Sequence, residues 1–305
     1  MLISIIGPTA TGKSSAAIEL ALKLGCAHII SADAYQVYRK MDIGTAKVTA
    51  DEMKGVQHWM IDVLDPAEDM DVALYQKMAI SCIENVASHG SVPIIAGGSG
   101  FYHDSVVYSS YVFGQDDYSV PENEELSRLR SDGDSERLFE WLAEIDLEYA
   151  QNTDKENVKR VVRAIEYYLA TGKRKSSAAI QKTYRFPDTF CFGMYLDRQE
   201  LYTKIEKRVD GMIELGFVDE VRELIELGIS RSANSMQALG YKQIAAFLHG
   251  ECSLEDAISQ IKQLTRNYAK RQMTWFRRNK EIKWLDIGLL GLNGVVERMV
   301  EALND

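Results

Sequence analysis

The segment Gly7-Pro8-Thr9-Ala10-Thr11-Gly12-Lys13-Ser14 constrains this chain more than any other. It has the spacing G-x-x-x-x-G-K-[ST] of a phosphate-binding P-loop. Its flanks agree with that reading. Leu2-Ile3-Ser4-Ile5-Ile6 is a short apolar run that reads as a buried strand. Ser14 to Leu24, with Ala17, Leu20, Ala21 and Leu24 on one face, reads as a helix. The two glycines let the backbone curl its N–H groups around phosphate oxygens, and the helix N-terminus adds the positive end of its dipole. Lys13 supplies a point charge. Ser14 offers a hydroxyl to Mg²⁺, the one cofactor expected.

The remaining text alternates strands and helices. Ala27 to Ser31 reads as a second strand ending at Asp33, and Val56 to Val63 as a further extended segment. Val72 to Ser88 has helical spacing. Val92 to Ala96 is a buried strand closed by Gly97-Gly98-Ser99-Gly100. Between Tyr108 and Pro187 buried-strand runs disappear. Pro121 to Arg130, Asp134 to Ile145 and Lys155 to Leu169 read there as helices. Phe190 to Leu196 returns to a strand. Helices follow at Gln199 to Leu215, Val218 to Leu227, Tyr241 to Leu248 and Leu254 to Arg277. Ile282 to Leu285 is a last strand, and Val295 to Leu303 a closing helix. The expected fold is α/β: a P-loop NTPase-like parallel sheet with helices on both faces and a helical insertion. The core is assigned to 1–108 and 187–305, and the insertion to 109–186.

Composition narrows the setting. The chain has 305 residues with 46% hydrophobic content, enough for a sizeable core. No apolar run approaches the roughly 20 residues of a membrane span, and the N-terminus enters the first strand directly, so no membrane association and no signal peptide are expected. Cys26, Cys82, Cys191 and Cys252 are scattered with no C-x-x-C pair, which fits a reducing cytoplasm and argues against a disulfide framework or a zinc site. A monomer is expected. The formal net charge of −10 disfavours a polyanionic partner unless the positive charge is concentrated locally. Thr265 to Lys280 is such a concentration, rich in Arg and Lys with Tyr268, Trp275 and Phe276 interleaved. It reads either as a nucleic-acid surface with stacking aromatics or as an amphipathic helix with solvated cations. Lys159, Arg160 and Arg163 form a second basic group.

A P-loop does not name its reaction. NTPases carry an acid at the end of a second hydrophobic strand to hold Mg²⁺. The strand Val92 to Ala96 ends instead in glycines and Ser99. The strand-end acid is Asp33, placed to face the P-loop crevice. It suits a nucleotide kinase, or another phosphate-leaving reaction whose acceptor loses a proton.

Taken together, the P-loop, Ser31-Ala32-Asp33 with Gln36-Val37-Tyr38, Met41 to Lys47, Gly97 to Tyr102, Arg160 to Glu166, Arg208-Val209-Asp210, Gln237 to Lys242 and Ala269 to Arg278 resemble the tRNA dimethylallyltransferase family. The resemblance spreads over most of the chain. It implies transfer of the dimethylallyl group of dimethylallyl diphosphate to N6 of the adenosine 3′-adjacent to the anticodon of tRNA, releasing diphosphate. It implies that Gly7 to Ser14 hold the diphosphate, that Lys13, Ser99 and Arg208 assist catalysis, and that Asp33 is the general base. It implies tRNA contacts from Asp33, Ala34, Tyr35, Gln36 and Ser99, and from Lys159, Arg160, Val161, Val162 and Arg163. It implies others from Gln237, Gly240, Tyr241 and Lys242, and from Lys270, Arg271, Gln272, Thr274, Trp275 and Arg277. Departures from the family pattern are Ser99 in place of a Thr and His103-Asp104-Ser105 where a basic residue is usual. Three alternatives stay open: an adenylate isopentenyltransferase acting on free AMP, ADP or ATP, a P-loop nucleotide kinase, and a non-catalytic tRNA-binding relative.

Overall fold

The computed structural model describes residues 1–111, 122–177 and 183–304. It divides into two compact units, Met1–Tyr111 with Tyr184–Asp305, and Val112–Thr183. The first unit is α/β. Its strands are β1 (Leu2–Ile6), β2 (Ala27–Ser31), β3 (His58–Trp59), β4 (Val92–Gly97), β5 (Thr189–Tyr195) and β6 (Lys283–Asp286). They form one sheet in the order β3-β2-β4-β1-β5-β6, with every pairing parallel. Its helices are α1 (Lys13–Leu24), α2 (Ala50–Met53), α3 (Val72–Ser88) and α4 (Gly100–Val107), and, after the second unit, α9 (Arg198–Glu214), α10 (Phe217–Glu226), α11 (Tyr241–Leu248), α12 (Leu254–Phe276) and α13 (Ile287–Asn304). The second unit is helical: α5 (Glu124–Asp132), α6 (Ser135–Ile145), α7 (Leu147–Gln151) and α8 (Val158–Thr171).

Alternation along β1 explains why both sheet faces are covered. Ile3 and Ile5 point into a core shared with Ala16, Ala17 and Leu20 of α1 and Val295, Val296 and Met299 of α13. Leu2 points the other way, into a core with Tyr75 and Ala79 of α3 and Tyr241 and Ile244 of α11. A parallel sheet needs such cover, because its crossover helices pack on both faces. The second unit has its own core around Leu126, Leu138, Leu142, Val161 and Ile165.

Several elements differ from the sequence expectation. The extended segment Val56 to Val63 contracts to the two residues of β3, because Met60 and Asp62 turn the chain with φ of 62° and 54°. The glycine turn after β4 opens directly into α4, a helix hidden in the sequence because His103, Asp104 and Ser105 are polar and yet buried. α2 is announced by a capping box between Thr49 and Glu52. α7 follows α6 across Asp146, whose carboxylate accepts from Tyr149 N–H. α8 starts at Val158 rather than Lys155, and α13 starts at Ile287 with a kink at Gly291. The expected helix start at Pro121 lies outside the described residues; α5 begins at Glu124.

The loop after β2 is held from α10. The Glu220 carboxylate accepts from the backbone N–H groups of Asp42, Ile43 and Gly44 at 2.8, 2.7 and 3.1 Å, and from the Tyr241 hydroxyl at 2.6 Å. Three successive N–H groups around one carboxylate make an anion nest filled by the protein itself. Lys47, with its side chain 5% exposed, pairs with Asp42 at 2.5 Å and Asp62 at 2.6 Å. Glu220→Ala should therefore destabilise the fold by about 2–4 kcal/mol, since it frees the loop and leaves the buried Tyr241 hydroxyl unsatisfied. Urea unfolding measures this, and an unchanged midpoint would refute the nest's role.

Candidate active site

The site forms where the strands end. β1 runs out at Ile6, which pairs with Gly97 of β4 on one side and Gly193 of β5 on the other. The next residue, Gly7, has φ of 143°, and a Cβ there would stand 2.2 Å from the Met194 carbonyl oxygen. No other residue fits. The loop that follows is closed by its own side chains: Thr11 Oγ1 donates to the Pro8 carbonyl at 2.8 Å, and Lys13 Nζ donates to the same oxygen at 2.6 Å. Gly12 is in the left-handed region and starts α1, which points its N-terminus at the loop.

β2 delivers Asp33. Its Oδ1 accepts from the N–H groups of Tyr35 and Gln36 at 2.9 and 3.3 Å. Burial raises its pKa, against the opposing pull of those N–H groups and of Lys13. β4 delivers Ser99, whose hydroxyl accepts from Ala34 N–H at 3.3 Å. α9 delivers Arg208, which donates to Thr9 Oγ1 at 3.4 Å. The acids beside Arg208 are taken elsewhere: Asp210 pairs with Lys262 at 2.6 Å and Glu206 with Arg266 at 2.7 Å, both on α12. This leaves the Arg208 guanidinium directed to the loop. Desolvation first, and then Arg208, lower the Lys13 ammonium to about 7, with Asp33 opposing.

Two cavities meet here. One, about 770 Å³, is floored by Gly12, Lys13 and Ser14. The other, about 670 Å³, is walled by Ser99, Phe101, Lys242, Arg271 and Trp275. Thr9, Asp33, Arg208, Tyr268 and Gln272 line both. Gln36 lines the P-loop cavity, with its amide held by Ser31 Oγ and by the carbonyls of Thr45 and Ala46.

The expected contact residues fall into outward and inward sets. Lys270, Arg271 and Thr274 are exposed on α12, and Arg277 is exposed just past its end. Tyr268, Gln272 and Trp275, spaced at helical intervals, face inward to the cavities. Lys242 is exposed at a cavity rim and Gln237 is exposed, whereas Gly240 and Tyr241 are buried. In the second unit Lys159, Arg160 and Arg163 are exposed, and Val161 and Val162 belong to the core. Sequence reasoning missed Glu220, which carries no motif, and the inward role of Tyr268, whose position four residues before Gln272 was the available signal. Tyr268 faces Asp33, Ser99 and Gln272, and burial pushes its phenol up to about 12, so it stays neutral.

Behind the site Ser4, His103 and Asp104 form a line. Ser4 Oγ lies 2.6 Å from His103 Nε2, and His103 Nδ1 lies 3.1 Å from Asp104 Oδ1. The three are 0%, 1% and 4% exposed, so no substrate reaches them. Asp104 also accepts from Trp275 Nε1 at 3.1 Å, and the line is a brace from β1 through α4 to α12.

Residues 36–279 match the family model described as IPP transferase. The chain belongs to the IPP transferase family. A tRNA dimethylallyltransferase of Pelotomaculum thermopropionicum is 43% identical over 290 residues, covering 94% of this chain and 90% of that one. One from Staphylococcus epidermidis is 41% identical over 313 residues, covering 99% and 92%. Among solved structures, the tRNA delta(2)-isopentenylpyrophosphate transferase of Staphylococcus epidermidis superposes with a TM-score of 0.73 at 39% identity, over 99% of this chain and 98% of that one. A eukaryotic dimethylallyltransferase acting on tRNA gives 0.86 at 26% identity, over 100% of this chain and 78% of that one.

In this IPP transferase a Lys13 ammonium near 7 is mostly neutral at pH 8. A diphosphate beside it favours the charged form, so binding should take up a proton. Calorimetry with inorganic diphosphate in two buffers of different ionisation enthalpy, read as wild type minus Lys13→Met, should give an uptake of roughly 0.5–1 proton at pH 8 and less at pH 6. No difference between the two proteins would refute the lowered Lys13.

Proposed function

We propose that this protein transfers a dimethylallyl group from dimethylallyl diphosphate to N6 of the adenosine 3′-adjacent to the anticodon of tRNA, releasing diphosphate. The carrying observation is that Asp33 and Arg208 line both cavities, while Gly12, Lys13 and Ser14 of the phosphate-binding loop floor one of them. The close relatives named as tRNA dimethylallyltransferases support the same reading.

The geometry supports the following roles. The diphosphate of the donor occupies the P-loop, where backbone N–H groups, Lys13 and Arg208 oppose the charge that grows as the C1–O bond breaks. The adenine enters from the other cavity, out of its stack, with Phe101 and Trp275 as aromatic surfaces at its side. The new bond forms between C1 and N6. An exocyclic amine loses its proton only as that bond forms, and Asp33 accepts it. Burial has already raised the basicity of this carboxylate. Ser99 holds the Asp33 turn through Ala34 N–H. The outward cations Lys270, Arg271 and Arg277 contact RNA phosphates, as do Lys159, Arg160 and Arg163 of the second unit.

A diphosphate leaving group generally calls for a divalent metal, and Mg²⁺ is the proposed ion. No group of three His, Cys, Asp or Glu side chains among the described residues makes a metal cage. That fits Mg²⁺, which binds through one or two protein oxygens and substrate phosphates. Ser14 Oγ, exposed on the P-loop cavity, is the protein oxygen proposed to hold it, and the bound ion would neutralise leaving-group charge. No helix among the described residues is long and apolar enough to cross a membrane. We place the protein in the cytoplasm with its tRNA substrate, acting as a monomer.

Incubation with dimethylallyl diphosphate, Mg²⁺ and unmodified tRNA, with AMP in a parallel reaction, decides the substrate by nucleoside mass spectrometry. Prenylated adenosine from tRNA alone is expected. Product from AMP alone would overturn the partner. In the same assay Asp33→Asn should lower kcat by about 10²–10⁴-fold while leaving tRNA affinity in place. Full turnover by that variant would remove the proposed base.

A further inference from the structure

Gln272 stands in the middle of the basic segment of α12, yet it is only 4% exposed. Its amide is engaged at both ends. Oε1 accepts from the Thr9 N–H at 2.9 Å, and Nε2 donates to the Gly98 carbonyl at 2.9 Å. Thr9 belongs to the loop leaving β1, and Gly98 to the turn leaving β4. One side chain from a helix thus ties together the loops of two adjacent strands. The fit leaves no slack, because a Cβ on Gly98 would stand 2.2 Å from Nε2.

The brace acts on the parts that matter to the reaction. Backbone N–H groups of a P-loop ordinarily face an anion. Here the N–H of Thr9 is committed to Gln272, while its hydroxyl accepts from Arg208. Thr9 is therefore fixed from two helices, α9 and α12. Gly98 is covalently next to Ser99, whose hydroxyl holds the Asp33 turn. On α12 the neighbouring Arg271 is exposed, as a step of about 100° per residue dictates. The outward cations and the inward amide ride on one helix.

We propose that Gln272 is a positioning residue for prenyl transfer: through Thr9 and Gly98 it sets the width of the P-loop and the place of Ser99, and it links the RNA-facing side of α12 to the grip on the diphosphate. This inference rests on the prenyl-transfer reading given above. Gln272 acts through two backbone groups rather than by touching RNA.

Gln272→Met keeps the length of the side chain and removes both hydrogen bonds. The Kd for inorganic diphosphate, the Kd for unmodified tRNA, and KM and kcat with dimethylallyl diphosphate are measured on the full chain. The diphosphate Kd and the donor KM should each rise about tenfold. The tRNA Kd should stay within about twofold. Unchanged diphosphate affinity would overturn the proposal, whether the tRNA affinity falls, making Gln272 an RNA contact, or also stays the same, making it packing alone. A second measurement needs no variant. In free wild-type protein the Thr9 amide should exchange with solvent at least about tenfold more slowly than in an unstructured peptide. Exchange at the peptide rate would also overturn the brace. Failure of the wild-type protein to bind diphosphate or tRNA would instead count against the prenyl-transfer reading itself.

Discussion

The close approach of Gly7 to the Met194 carbonyl is the constraint on which the site depends. The P-loop must leave β1 between two neighbouring strands that run in the same direction. Parallel pairing brings all the carboxyl ends to one edge, so the segments following β1, β2 and β4 open into a common crevice. The P-loop, Asp33 and Ser99 are those three segments. Nothing else in the sheet has to be specialised. What the strands cannot supply comes from α9 and α12, which bring Arg208, Tyr268 and Gln272 over the edge.

On the proposed reading, α12 reconciles a net charge of −10 with an RNA substrate. Its first half spends its cations on α9, through Lys262 with Asp210 and Arg266 with Glu206. Those pairs fix the helix against the core and free Arg208 for the loop. Its second half turns Lys270 and Arg271 to solvent, followed by Arg277 just past its end, while Ala269, Gln272 and Phe276 are buried. Whole-chain charge governs long-range repulsion, which salt screens within a Debye length of about 8 Å. A local row of cations at contact distance is felt at full strength by a phosphate backbone.

Much of this was legible in the residues, for a physical reason. Parallel strands buried on both faces read as plain apolar runs, and the P-loop needs fixed glycines at fixed places, so β1, β2, β4, β5 and the phosphate loop carry local signals. Asp33 was legible because a strand end determines where its next residues point. The turn that ends β3 was not, since Met60 and Asp62 adopt positive φ without being glycine or asparagine. α4 was not, since its buried face carries His103 and Asp104, which meet Ser4 and Trp275 from distant segments. Glu220 and Gln272 belong to the same class. Each is a polar residue with backbone partners more than 170 positions away, and no local pattern encodes such a partner.

The electrostatics of the free site describe the reaction in advance. Lys13, half-buried, and Arg208, exposed, are cations beside the same loop, and desolvation together with Arg208 depresses the Lys13 ammonium. A diphosphate is the counter-charge that relieves it. On the proposed reading, a diphosphate bound there returns Lys13 to its charged form. In the proposed transfer, negative charge grows on the leaving oxygen as the C1–O bond lengthens, and Lys13 and Arg208 oppose it, while C1 becomes positive and passes that charge to N6 as the new bond forms. The N6 proton is acidic at that stage, and the Asp33 carboxylate, its basicity already raised by burial, is the group proposed to take it.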